Sequence, residues 1–323
     1  MTYRVLVTDS VALSGLHPLL EDDRFEIVSV DDSNSEEFAT ELAQADALIV
    51  RSATKVTRDV LSLAPGLKAV GRAGVGVDNV DMPAATERGV AVFNAPGGNT
   101  IAAAELTMAL LISAARKIPA AEASLRSGEW RRSEFQGVEL KGKTLALIGA
   151  GRIGGEVAVR CRAFGMNVVV YDPYIDTIRA DDLGVELVDL EDALETGDFV
   201  SIHVTLSDET RGMVDAAALA RMKRTAFVVN ASRGGVVDEA ALAKALENGV
   251  IAGAALDVFE SEPLAEDSPL RQAPNLVLTP HLGASTTEAQ EGVASEVAEK
   301  IRILLESGNC TEAVNASDLG FLR

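Results

Sequence analysis

The chain has 323 residues, 47% hydrophobic and only 4% aromatic, so Ala, Val, Leu and Ile must build its interior, with material for two α/β cores. Its 49 acidic and 29 basic residues give a formal charge of −20, which argues against a general nucleic-acid binder or a binder of anionic membranes. No apolar stretch approaches the roughly 20 residues needed to span a bilayer, and Met1 leads straight into a strand-like pattern without secretory features, so a cytoplasmic protein is expected.

The first ninety residues alternate short apolar runs with helical segments. Strands are predicted at 4–8, 26–30, 47–50, 69–72 and 90–93, with helices such as 35–44 and 83–88 between them. Short strands alternating with helices predict a parallel sheet with helices on its faces. Asn94-Ala95-Pro96-Gly97-Gly98-Asn99 is a dense turn signal, read as a hinge between domains. Thr100 is then placed to cap one long helix over 101–126. A second series begins at Lys143, with strands at 144–148, 167–171, 186–188, 199–202, 226–230, 251–257 and 276–279 and a helix at 238–248. A last helix covers 286–307, and the tail at 311–315 is expected to return to the first domain. Cys161 and Cys310 belong to no metal-ligand or disulfide pattern, so no metal is expected.

Gly149-Ala150-Gly151-Arg152-Ile153-Gly154 is a GxGxxG sequence that follows a predicted strand and opens a helix. In that setting Gly149 permits the tight turn and Gly151 lets the backbone approach a pyrophosphate. Gly154 lets the helix pack close to the sheet, and the helix N-terminus offers N–H groups to the phosphates. Asp172 ends the next strand, 23 residues after Gly149, near the ~20 expected for the carboxylate that binds an adenosine ribose. That charge repels the 2′-phosphate of NADP, so the expected cofactor is NAD.

Three charged residues stand at later strand ends: Arg233 in Asn230-Ala231-Ser232-Arg233, Glu262 before Pro263, and His281 after Pro280. Ligands of open α/β sheets bind outside the carboxyl ends of the strands, so these loops are expected to converge. Oxidising a 2-hydroxy acid needs a base for the hydroxyl proton, a cation for the carboxylate and a hydride acceptor. An imidazole at His281 suits the base. Glu262 can hold that imidazole, and the Arg233 guanidinium can grip carboxylate and carbonyl oxygens together. Of the other histidines, His17 beside Pro18 is read as structural, and His203 ends a strand where it can line the nicotinamide pocket. The 21 Arg against 8 Lys fit either a high-salt organism or a GC-rich genome; in both, an acidic protein with an anionic substrate must concentrate Arg at its site.

The motifs at 149–154, Asp172-Pro173, 230–238, 253–263 and 280–285 resemble, in order, those of the D-isomer-specific 2-hydroxyacid dehydrogenases, and the resemblance covers residues 3–315. It implies two doubly wound parallel-sheet domains, with a Rossmann NAD-binding domain (97–285) inserted into a flavodoxin-like substrate domain (1–96 and 286–323). It implies Arg233, Glu262 and His281 as the catalytic trio. Val75, Arg152, Ile153, Asp172, Ala231, Asp257 and Gly283 are the implied cofactor contacts, beside Gly149, Gly151 and Gly154. The stretches 50–57 and 71–81 resemble members acting on 3-phospho-D-glycerate, at the entry to serine synthesis. Arg51 and Arg72, with Ser52, would then hold the phosphate, and backbone N–H groups of Gly74-Val75-Gly76 the carboxylate. Alternatives are reduction of hydroxypyruvate or glyoxylate, or an NAD-sensing corepressor. A homodimer or homotetramer is expected. Only eight residues follow Ala313-Val314-Asn315, so the serine-sensing domains of many such enzymes are expected to be absent.

Overall fold

The computed structural model describes residues 2–320. One compact unit runs to Thr100 and resumes at Ala284, while the other spans Ile101–Gly283; the expected boundaries were 96/97 and 285/286.

In the first unit, β1 (Tyr3–Val7), β2 (Phe25–Ser29), β3 (Ala47–Val50), β4 (Ala69–Arg72) and β5 (Ala91–Asn94) form one parallel sheet in the order β2-β1-β3-β4-β5. This is the flavodoxin-like order. Every residue of β3 is buried, as a strand covered on both faces requires. Ser35, Thr57, Asp81 and Thr286 each cap a helix by accepting a backbone N–H three residues on. The helix Thr287–Ser307 lays Val293, Ala294, Val297, Ala298, Ile301 and Leu305 into a core with Val5, Val7 and Phe93. On the opposite face Phe38, Leu42, Leu48 and Val70 pack together. The tail returns to this unit beside β5. Val314 N–H donates to the Val92 carbonyl (2.7 Å). The buried Asn315 accepts from Val92 N–H (3.0 Å) and donates to the Val90 carbonyl and the Thr86 hydroxyl (both 3.0 Å).

In the second unit, seven parallel strands run in the order β12-β11-β10-β9-β6-β7-β8. They are β6 (Thr144–Ile148), β7 (Asn167–Tyr171), β8 (Glu186–Leu187), β9 (Phe199–Ile202), β10 (Phe227–Asn230), β11 (Gly253–Leu256) and β12 (Leu276–Leu278). From β6 outward the order is that of a Rossmann sheet with one added strand. The chain leaves β6 first toward β7 and later toward β9, and that reversal opens a crevice at the carboxyl ends where a dinucleotide binds. Apolar side chains fill both faces of this sheet, and Phe199 stacks on Phe227 at 5.1 Å between ring centres.

Two local expectations are corrected. The single helix at 101–126 is two helices, Thr100–Arg116 and Ile118–Arg126, because Lys117 turns into the left-handed region (φ 52°). Pro119 sits in the first turn of the second helix, where its missing N–H loses no bond; inside a continuous helix its ring would clash with the preceding turn. Thr100 starts the first helix, yet its buried hydroxyl has no hydrogen-bond partner, so it does not act as a side-chain cap. Cys161 and Cys310 are free and buried, and burial pushes the Cys161 thiol up to about 12.

Candidate active site

The Gly149–Gly154 loop leaves β6 and enters the helix Arg152–Ala163. Gly149 takes φ +92°, and a Cβ there would lie 2.8 Å from the His203 carbonyl oxygen. A Cβ on Gly154 would collide with the Gly149 carbonyl, so helix and strand approach as closely as glycine allows. A Cβ on Gly151 would meet nothing within 4 Å, and no side chain caps this helix start. Backbone N–H groups therefore face open space, which fits a pyrophosphate. Asp172 stands at the end of β7; one carboxylate oxygen accepts from Ala150 N–H (2.8 Å) and the other from Tyr174 N–H (2.9 Å). Its charge thus sits beside the glycine-rich loop, where ribose hydroxyls would add further donors. Arg152 and Ile153 open the helix and Ala231 follows β10.

The three catalytic candidates all lie in the second unit, past the carboxyl ends of its strands. His281 Nδ1 is 2.7 Å from Glu262 Oε2. With a carboxylate at that distance Nδ1 carries the proton, which leaves Nε2 for a substrate oxygen. Burial alone would raise the Glu262 carboxyl, but the hydrogen bond and charge of His281, the Phe259 N–H and the charge of Arg233 outweigh it and hold it below its ordinary value. His281 has a left-handed backbone (φ 55°), and its N–H donates to the carbonyls of Asp257 (2.8 Å) and Thr279 (3.1 Å). The fully buried Asp257 carboxylate accepts from the Thr279 hydroxyl (2.6 Å), Leu282 N–H (2.8 Å) and Gly283 N–H (3.0 Å). Burial raises its pKa against these donors. The buried Asn230 side chain ties the Arg233 loop, accepting from the Ser232 N–H and hydroxyl and donating to the Arg233 carbonyl (2.9 Å). The Glu262–Pro263 peptide is cis. His203 bonds the Ser201 hydroxyl through Nε2 (2.8 Å), and burial pushes its pKa down to about 4, so it stays neutral.

The remaining candidates lie in the first unit, at or just past the carboxyl ends of β3 and β4. Among the described residues the Arg51 guanidinium makes no hydrogen bond or ion pair, and Ser52 beside it is exposed. The Arg72 guanidinium lies so close to Gly74 that a Cβ there would collide with it. One expectation changes: the Gly74 N–H is already taken by the Arg72 carbonyl (2.8 Å). Only Val75 and Gly76 keep N–H groups without a protein acceptor among the described residues, and Asn94 steadies that loop by donating to the Val75 carbonyl (2.6 Å).

Comparison with known proteins agrees with this geometry. Residues 108–283, more than half of the chain, match the NAD-binding domain of the D-isomer specific 2-hydroxyacid dehydrogenases. The chain belongs to that family. It is 50% identical over 299 residues to the D-3-phosphoglycerate dehydrogenase of Bacillus subtilis, covering 93% of this chain and 56% of that protein. It thus spans little more than half the length of that relative. The crystal structure of a Thermus thermophilus protein superposes with a TM-score of 0.87 at 36% identity, over 96% of this chain and 99% of that one. A glyoxylate reductase from Paecilomyes thermophila superposes at 0.85 with 29% identity, over 98% and 100%.

The residues that hold the loops, Asn230 and Asp257 in the second unit and Asp9 and Asn79 in the first, carry no catalytic pattern in the sequence. Asn230 and Asn79 lie inside the motifs at 230–238 and 71–81, and Asp257 among the expected cofactor contacts. Asp9 carries one legible signal, a polar residue just past the end of an apolar strand.

Proposed function

We propose that this chain oxidises 3-phospho-D-glycerate to 3-phosphooxypyruvate with NAD⁺, the first step of the phosphorylated route to L-serine. The chemistry rests on the His281–Glu262 pair at 2.7 Å in a Rossmann unit. The substrate is supported by the 50% identity to the Bacillus subtilis enzyme and by the Arg51 guanidinium, which has no partner among the described residues. His281 Nε2 takes the proton of the C2 hydroxyl as the hydride leaves C2. Glu262 keeps its charge and stabilises the imidazolium that forms. Arg233 orients the carboxylate and steadies the oxygen as it becomes a carbonyl. Arg51 and Arg72 hold the phosphate; Val75 and Gly76 N–H groups receive the carboxylate. NAD⁺, when bound, supplies the hydride acceptor, with Gly149–Gly154 and Asp172 holding its pyrophosphate and adenosine ribose.

A substrate panel followed by NADH absorbance tests the assignment. The highest kcat/KM is expected with 3-phospho-D-glycerate, and higher values with D-glycerate or glycolate would overturn it. A cytoplasmic homodimer or homotetramer completes the proposal. Its support is the helix Ile118–Arg126, none of whose residues is buried, with exposed Ile118, Leu125 and, just beyond it, Trp130 and Val138. Light scattering that returns a monomer would remove this part.

A further inference from the structure

Arg51 and Thr54 stand at the two ends of a short turn after β3, and two side chains grip both ends. Asp9 takes the N–H groups: its Oδ2 accepts from Arg51 N–H and Thr54 N–H (both 2.9 Å), and its Oδ1 accepts the Thr54 hydroxyl (2.6 Å). Asn79 takes the carbonyls, since its Nδ2 donates to Arg51 O and Thr54 O (both 2.7 Å). Asn79 is itself buried and anchored, its carbonyl accepting from Val56 N–H (2.8 Å). Asp9 reaches its place through two successive left-handed residues, Asp9 (φ 62°) and Ser10 (φ 49°), neither a glycine. Such strain persists only where surrounding bonds hold it, and it gathers at working sites.

The bracketed turn leaves a specific set of groups over. Ser52 and Ala53, between the gripped ends, are exposed, and among the described residues their N–H groups have no acceptor. The Arg51 guanidinium also has no partner there. A guanidinium and two backbone N–H groups on one fixed turn, in a chain of net charge −20, suit a compact dianion. The Asp9 carboxylate oxygens are turned to the ends of the turn, where three donors meet them.

We propose that Asp9 and Asn79 are positioning residues for the phosphate end of the substrate. Together they hold the turn so that Arg51, Ser52 N–H and Ala53 N–H meet one phosphate group. The inference rests on the phosphoglycerate reading above and adds to it what sets the preference for a phosphorylated acid. A turn fixed before binding loses less freedom on binding, so the bracket raises affinity without touching the ligand.

The test compares kcat/KM for 3-phospho-D-glycerate with that for D-glycerate, the same acid without its phosphate, in Asp9→Asn, Thr54→Val and Thr54→Ser. Urea unfolding followed by circular dichroism reports whether each variant keeps the first unit folded. Asp9→Asn keeps an oxygen for the Arg51 and Thr54 N–H groups but puts NH₂ where the Thr54 hydroxyl donates and removes the charge from all three bonds, so it should lower the ratio of the two kcat/KM values by about tenfold, mainly through KM for the phosphorylated acid. Thr54→Val removes one bond and should lower it by a few-fold, while Thr54→Ser, which keeps the hydroxyl, should restore it. Should these variants lose both activities in the same proportion, or Ser and Val behave alike, the bracket is only structural. A wild-type chain that treats the two acids alike would remove the phosphoglycerate reading and the bracket with it.

Discussion

At the scale of single residues, the 2.7 Å contact between His281 and Glu262 divides two roles that mutation can separate. His281→Ala should lower kcat by roughly 10²–10⁴-fold, the usual worth of a positioned acid–base group, with NADH affinity nearly unchanged in fluorescence titration. Glu262→Gln keeps an acceptor for Nδ1 and removes the charge. The falling alkaline limb of the pH–rate profile for reduction should then move to lower pH. A second readout follows from linkage. The Glu262 carboxyl is held below its ordinary value by His281 despite burial, so its contribution to stability is present above the ordinary glutamate range and lost as pH falls through the folded-state value. The difference in Tm between wild type and Glu262→Gln should therefore narrow below about pH 4. Asp172 makes a third case. Asp172→Ala should relax the preference for NAD over NADP and also weaken NAD itself, because the Ala150 N–H loses its acceptor. Equal kcat/KM for both cofactors in the wild type would refute the ribose assignment.

At the scale of elements, the tail beside β5 shows a side chain doing the work of a strand. Asn315 supplies the acceptor for Val92 N–H and a donor for the Val90 carbonyl. Asn315→Ala would strand those buried backbone groups and should cost about 1–3 kcal/mol, seen as a lower urea midpoint. Most elements were legible in the sequence, because β3, β6 and β9 are buried nearly throughout and therefore read as apolar runs bounded by polar turns. The break at Lys117 was written in Pro119 yet masked by the apolar pattern running through it. The brackets were not legible. Asp9 meets Arg51 across 42 positions, Asp257 meets Leu282 across 25 and Asn315 meets Val92 across 223. No local pattern carries such pairings; they exist only once a sheet order brings strand ends together. The chemistry-bearing residues were easier, because an Arg, a Glu and a His at strand ends stand out against a background of Ala, Val and Leu.

At the scale of the whole molecule, a net charge of −20 means that the folded chain repels itself. Raising ionic strength from about 0.01 to 0.15 M shortens the Debye length from about 30 to 8 Å and should raise Tm. A flat response would show that the exposed ion pairs, such as Arg58–Glu87 and Lys68–Asp46, already balance the surface locally.

The helix Thr287–Ser307 also has a consequence for how the molecule comes into being. It supplies Val293, Val297 and Ile301 to the core that β1 and β5 begin, and all of Ile101–Gly283 is translated before it. On the ribosome the later-encoded Rossmann unit can therefore close while the earlier hundred residues still lack part of their interior. The N-terminal residues emerge first and finish last, and until then the apolar flank of their sheet is open to chaperones. Pulse proteolysis of stalled nascent chains should show protection of the Rossmann unit before any protection of β1–β5. Synchronous protection would mean that those five strands close without their final helix.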